Sequence, residues 1–106
     1  SGGVMTISYN TANVFYNGTA VSGNYTVNLT DVPTDNDKTM SISIIQNQGG
    51  TAGYPSAFQI GGSAVTIKWG GGTAPSPTAN KLDIFNFTLL RLGSAWQVLG
   101  SANLNY

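Results

Sequence analysis

The run from Lys81 to Gly100, KLDIFNFTLLRLGSAWQVLG, constrains the fold more than any other part of the chain. It is the densest stretch of large apolar residues, and the turn signal Arg91-Leu92-Gly93-Ser94 divides it into two strand-length pieces, which predicts a β-hairpin. In the first arm Phe85, Phe87 and Leu89 fall on one face, and Leu82, Ile84 and Leu90 largely on the other. Apolar residues on both faces predict a central strand covered on both sides. In the second arm Trp96 and Val98 alternate with Gln97. A two-stranded ribbon this apolar does not stand alone in water, so the rest of the chain must cover it.

The other segments read as further short strands. Val14 to Tyr16, then Asn17-Gly18, then Thr19 to Val21 places a type I′ turn signal between strand formers, a predicted hairpin. Tyr25, Val27 and Leu29 alternate with Thr26, Asn28 and Thr30, which predicts a half-exposed antiparallel strand. The segment from Asp31 to Lys38 is a predicted loop, because Pro33 lacks a ladder donor and its Asp and Asn residues bond to their own backbone. Met40, Ile42 and Ile44 alternate with polar residues in the next strand. Ala57–Ile60 and Val65–Trp69 form a second expected hairpin around Gly61-Gly62-Ser63-Ala64. Val4 to Tyr9 and the tail at Leu104 and Tyr106 add weaker strand signals, and Ser1 to Gly3 reads as a flexible lead-in. Two Gly-rich loops, NQGGTAGYPS from Asn47 and GGGTAPSPTAN from Gly70, are long enough to make contacts with something else. The expectation is one all-β domain over residues 1–106, a small antiparallel β-sandwich or jelly roll of about seven to eight short strands.

Composition narrows the function. Of the 106 residues 41% are hydrophobic but only 8% are charged, so polarity rests on Thr, Asn, Ser and Gly. Four Asp, three Lys and one Arg give a net charge of zero, with no basic stripe to neutralise phosphates, so neither nucleic acid nor an anionic membrane is an expected partner. The chain has no Cys, hence no disulfide or thiolate chemistry, and no His, the commonest general base and transition-metal ligand. No apolar run approaches the ~20 residues that span a bilayer, so membrane insertion is not expected. The start at Ser1, with the first Met at Met5, reads as a processed product or an excised piece of something longer.

Candidate chemistry is sparse. Asp31, Asp35 and Asp37 offer three carboxylates close together, but not in the spacing of a calcium loop, and turn capping is the better reading. Four Asn-x-Thr triplets, at Asn17, Asn24, Asn28 and Asn86, are what a chain rich in both residues produces. Asp83, at a strand start, is expected to pair with Lys81, Lys68 or Arg91. These residues do not assemble an acid, base and nucleophile set, so no enzyme activity, cofactor or metal is expected. Aromatic side chains are the remaining specific feature: Tyr54 in a loop, Trp69 and Trp96 at or in apolar strands, Phe85 and Phe87 in the central strand, and Tyr106 at the tail. Exposed aromatics stack on sugar rings, but packing in a core or subunit interface is the commoner role. These six are the candidate surface or subunit contacts.

The succession IQNQGGTAGYPSAFQIGGSAVTIKWGGG from Ile45 to Gly72, the loop with Ser76-Pro77 and Asn80, and KLDIFNFTLLRLGSAWQVLG closely resemble the C-terminal module of marine bacteriophage, cyanophage-type, virion structural or tail-fibre-like proteins. Ile67-Lys68-Trp69, and Asp83 followed by Phe87 and Leu89, are its most specific parts. Gly61 stands where that group more often carries Asp. The resemblance implies no catalytic residues. It implies a fibre, head-decoration or tail component assembled in multiple copies. With the apolar faces of Leu82 to Leu90, the expectation is a trimeric tail-fibre module for host attachment, assembled in the host cytoplasm, whose partners are other virion proteins and a host cell-surface glycan. A capsid decoration or head-fibre protein and a carbohydrate-binding module are the alternatives.

Overall fold

The computed structural model describes residues 3–34 and 39–106; Ser1, Gly2 and the loop residues Asp35, Asn36, Asp37 and Lys38 lie outside it. Among the described residues nine strands follow in chain order: β1 (Val4–Ser8), β2 (Val14–Asn17), β3 (Tyr25–Thr30), β4 (Thr39–Asn47), β5 (Pro55–Ile60), β6 (Ser63–Val65), β7 (Ile67–Trp69), β8 (Leu82–Leu92) and β9 (Ala95–Asn103). A single 3-10 turn at Gly70–Gly72 is the only helical element among the described residues. The strands form two sheets, of order β1-β3-β5-β6 and β2-β4-β8-β9-β7, whose inner faces share one core.

Period-two alternation builds that core. β3 buries Tyr25, Val27 and Leu29 and leaves Thr26, Asn28 and Thr30 half-exposed, as its pattern predicts. From the second sheet, Met40, Ile42 and Ile44 of β4, Phe85, Phe87 and Leu89 of β8, and Val98 of β9 face Ile7, Val27, Leu29 and Phe58 of the first. Phe58 and Phe87 meet across the gap with ring centres 5.0 Å apart. Each side chain of this size contributes about 1.5–3 kcal/mol when fully buried.

The hairpin at Lys81 to Gly100 forms as expected. β8 and β9 pair antiparallel from Ile84↔Asn103 to Leu92↔Ala95. Gly93 (φ 55°) and Ser94 (φ 71°) close it, both left-handed as a two-residue type I′ turn requires. Gly61 (φ 58°) and Gly62 (φ 85°) do the same between β5 and β6. The outer face of β8 is only partly covered, since Ile84 and Leu90 are half-buried, Leu82 and Leu92 are exposed, and Asn86 and Thr88 interrupt the apolar row.

Several strand relationships differ from the antiparallel expectation. Four pairs (β1–β3, β3–β5, β2–β4 and β7–β9) run parallel, and three (β4–β8, β5–β6 and β8–β9) run antiparallel. The cause is that the chain alternates between sheets, β1 in one, β2 in the other, then β3, β4 and β5 in turn, so each strand lands beside the strand two earlier and in the same direction. The Asn17-Gly18 hairpin therefore does not form. Neither residue takes the positive φ that a type I′ turn needs. Asn17 instead accepts a hydrogen bond from the Thr19 amide, while Asn47 donates to the Gly18 carbonyl and Gln46 to that of Thr19, making a corner that sends the chain to the other sheet. The expected strand Val65–Trp69 divides at Thr66, and its two halves, β6 and β7, belong to different sheets. The tail adds no separate strand. It pairs Tyr106 with Leu82 through two backbone hydrogen bonds after a bulge that includes Asn105 (φ 71°).

Candidate functional site

No Asp, Glu, Lys or Arg occurs in residues 1–30. The fold turns this stretch into the edge of both sheets at once, because β1 borders the first sheet and β2 the second, and among the described residues no strand pairs with the outer side of either. The two edges lie at the same end of the molecule. At the opposite end the sheets are joined, since β6 and β7 are one extended run that crosses from sheet to sheet at Thr66, and β6 touches β9 while β7 touches β5. A strand that switches sheets closes a corner. The far side is thus closed and carries Lys68 on β7, whereas the near side is open and its strands β1 and β2 contain no charged residue, the Asp31 carboxylate meeting them only at Ser8, the end of β1.

The open side is also apolar. Val4 on β1 and Val14 and Tyr16 on β2 are 58%, 55% and 63% exposed, and Met5, Phe15 and Val21 beside them are only half-buried. The short strand β2 is held in place from within. Asn17 Nδ2 donates to Oε1 of fully buried Gln46 at 2.9 Å, and Gln46 Nε2 donates to the carbonyls of Thr19 and Asn47. Between β1 and the link from β2 to β3 lies a cavity of about 290 Å³ bounded by Val4, Met5, Asn17, Val21, Ser22 and Tyr25. Tyr25 is 6% exposed, its hydroxyl has no hydrogen-bond partner among the described residues, and burial pushes its phenol well above the usual tyrosine range.

The six aromatic candidates separate into three places. Tyr54, Trp69, Phe85 and Phe87 come together in one cluster: Trp69 meets Tyr54 edge-on at 5.8 Å and Phe87 at 5.7 Å, and Tyr54 lies 6.4 Å from Phe85. Phe85 and Phe87 are not surface residues. They are 0% and 1% exposed, because the inner face of β8 is the centre of the core and the residues alternating with them, not they, face outward. Tyr54 and Trp69 are half-buried at the rim of that core, with ring surface already in use against other rings. Trp96 is half-buried at the hairpin tip with the Arg91 guanidinium 5.9 Å from its ring centre. Tyr106 is 63% exposed at the opposite end of β8, roughly 30 Å away along the strand.

The acidic candidates are engaged in structure. Asp83 is fully buried, and its partners are not the cations expected from its neighbours in sequence. It accepts from the Thr78 amide at 2.7 Å, Gln48 Nε2 at 3.1 Å and the Asn105 amide at 2.9 Å, while Lys68 donates to Gln97 and Arg91 to the Thr34 carbonyl. Gln48 also exchanges two hydrogen bonds with Gly53. One carboxylate thus ties the Gly-rich loops and the tail to the start of β8. Asp31 (φ 60°) accepts from the hydroxyls of Ser8 and Thr30, and Asp35 and Asp37 lie outside the described residues.

Sequence reasoning passed over the open edges, although a signal for them was present in the charge-free first thirty positions. Compared with family models, curated proteins and solved structures, the chain matches none.

Proposed function

We propose that this chain is a structural module of a bacteriophage particle, of the tail-fibre kind, which assembles in several copies and contributes to host attachment. The observation that carries the assembly part is the pair of uncharged, unpaired, apolar edges at one end of the two sheets. Free strands normally carry Lys, Pro or a bulge that keeps other strands away, and β1 and β2 carry no Lys and no Pro. The phage assignment rests on the likeness of the segments Ile45–Gly72 and Lys81–Gly100 to virion structural proteins. We read the two sheets as a β-sandwich whose parallel pairs set it apart from a jelly roll.

A carbohydrate-binding module is the less favoured reading, because Tyr54 and Trp69 spend ring surface on each other and on the core. Antibodies against the purified chain, applied to phage particles of marine cyanobacterial hosts in the electron microscope, test the proposal. Label on the tail or its fibres is the expected result, and label on the head alone would make the chain a decoration protein. Unlabelled particles from every phage encoding the chain would overturn the assignment to the virion.

A further inference from the structure

We propose that the open side is a two-fold self-association surface, on which β2 pairs antiparallel with β2 of a second copy and the two β1 strands are brought alongside one another. This deepens the assembly reading above and rests on it. Three features of the molecule point to a second copy as the occupant.

The first is that two edges are open at one end. A single added strand would satisfy one sheet and leave the other free. A two-fold axis perpendicular to both sheets continues both at once, because each edge then meets its own mate. The second is side-chain complementarity. In an antiparallel register that sets Phe15 against its mate, Val14 of each copy lies opposite Tyr16 of the other, an aromatic and β-branched pair formed twice on the outer face. Phe15, half-buried at the rim, then meets its mate on the inner face and extends the core. The third is charge. At a two-fold axis every residue near the centre faces its own copy, so a charged residue there would face a like charge; β1 and β2 contain none, and the Asp31 carboxylate reaches them only at Ser8, the last residue of β1.

The far side gives no comparable surface. β6 and β7 are three residues each, they form one run crossing the corner, and β7 carries Lys68. A ring or fibre made by joining unlike edges would need that side. The geometry therefore favours a closed pair over the trimer expected from the sequence.

The test is light scattering of the full chain over a concentration series, with Val14→Lys, Val4→Lys/Val14→Lys and, as a far-edge control, Ala64→Lys. Val4, Val14 and Ala64 are all exposed, so each variant is expected to fold, which circular dichroism checks. The expected result is twice the 11.0 kDa chain mass for the wild type and Ala64→Lys, with the dissociation constant raised at least tenfold in Val14→Lys and further in the double variant. Hydrogen exchange on the wild type supplies a readout without any substitution: amide protection in β1 and β2 must rise with protein concentration. A wild-type monomer at every concentration, or an oligomer whose mass the edge lysines leave unchanged, would overturn the inference. A trimer insensitive to the lysines would leave the virion reading standing, and unlabelled particles together with a lysine-sensitive dimer would remove that reading and keep this one.

Discussion

Replacing Asp83 by alanine removes the acceptor for three hydrogen bonds, from the Thr78 amide, the Asn105 amide and Gln48 Nε2, at a site with no exposure to solvent. Hydrogen bonds to a charged group contribute about 1.5–3 kcal/mol each, and a buried donor left without a partner costs about 1–3 kcal/mol. Against their sum stands the desolvation of the carboxylate, several kcal/mol, which the variant no longer bears. We expect a net loss of about 3 kcal/mol, a large part of the ~5–15 kcal/mol that holds a domain of this size together. With a urea slope of about 1.5 kcal/mol per M, the unfolding midpoint falls by about 2 M. Asp83→Asn should lose less, about 1–2 kcal/mol, because its amide oxygen still serves Thr78 and Gln48 while only the Asn105 amide faces a competing donor. Urea titration followed by the fluorescence of Trp69 and Trp96 measures both. A midpoint for Asp83→Ala within about 0.5 M of wild type, at unchanged slope, would show that loops and tail do not depend on this carboxylate and would refute the reasoning.

Three further outcomes follow from particular contacts. Gly53→Ala drives a Cβ into the Gly23 carbonyl oxygen, a backbone atom that cannot step aside, so the variant should lose more than about 3 kcal/mol or fail to accumulate as folded protein, read as soluble yield and urea midpoint. Gly100→Ala meets the Trp69 ring at 2.7 and 2.8 Å; the indole must shift, and a changed Trp emission with about 1–3 kcal/mol of destabilisation is expected in the same titration. Tyr25→Phe removes a buried hydroxyl that has no partner among the described residues and should be neutral or stabilising by about 1 kcal/mol at neutral pH. Because the folded-state pKa of Tyr25 is raised above its ordinary 10.0, the unfolded chain ionises first. Its contribution is complete below pH 10 and is lost above it at about 1.4 kcal/mol per pH unit, so the difference between the urea midpoints of wild type and Tyr25→Phe should be constant below pH 10 and widen only above it.

The Tyr25 phenol illustrates how far residue patterns carry. Its alternation with Val27 and Leu29 is enough to turn it inward, yet nothing local says that its hydroxyl meets no acceptor. The same holds for Asp83. Its neighbours in sequence suggest a cationic partner, whereas the donors that hold it come from Gln48, Thr78 and Asn105, two of them far off along the chain. Phe85 and Phe87 are readable as one face of a strand, but whether that face is core or interface depends on what the other sheet places against it.

What the sequence by itself determined is the set of features that depend on local physics. Apolar alternation placed the central strands, and Gly61-Gly62 and Gly93-Ser94 supplied the left-handed backbone of two tight hairpins. The absence of charge over the first thirty residues was likewise readable from one end to the other. Only the tertiary structure decided how strands pair. Short links such as Ser8 to Val14 and Asn17 to Tyr25 connect equally well within a sheet and across the core, and a local turn signal does not distinguish the two. The choice went to crossing, where Gln46 and Asn47 of the distant β4 donate to the carbonyls of Thr19 and Gly18 and hold the corner out of hairpin geometry. That one long-range outcome makes the pairs parallel, sets β1 and β2 at the same end, and converts an uncharged stretch of sequence into an open surface.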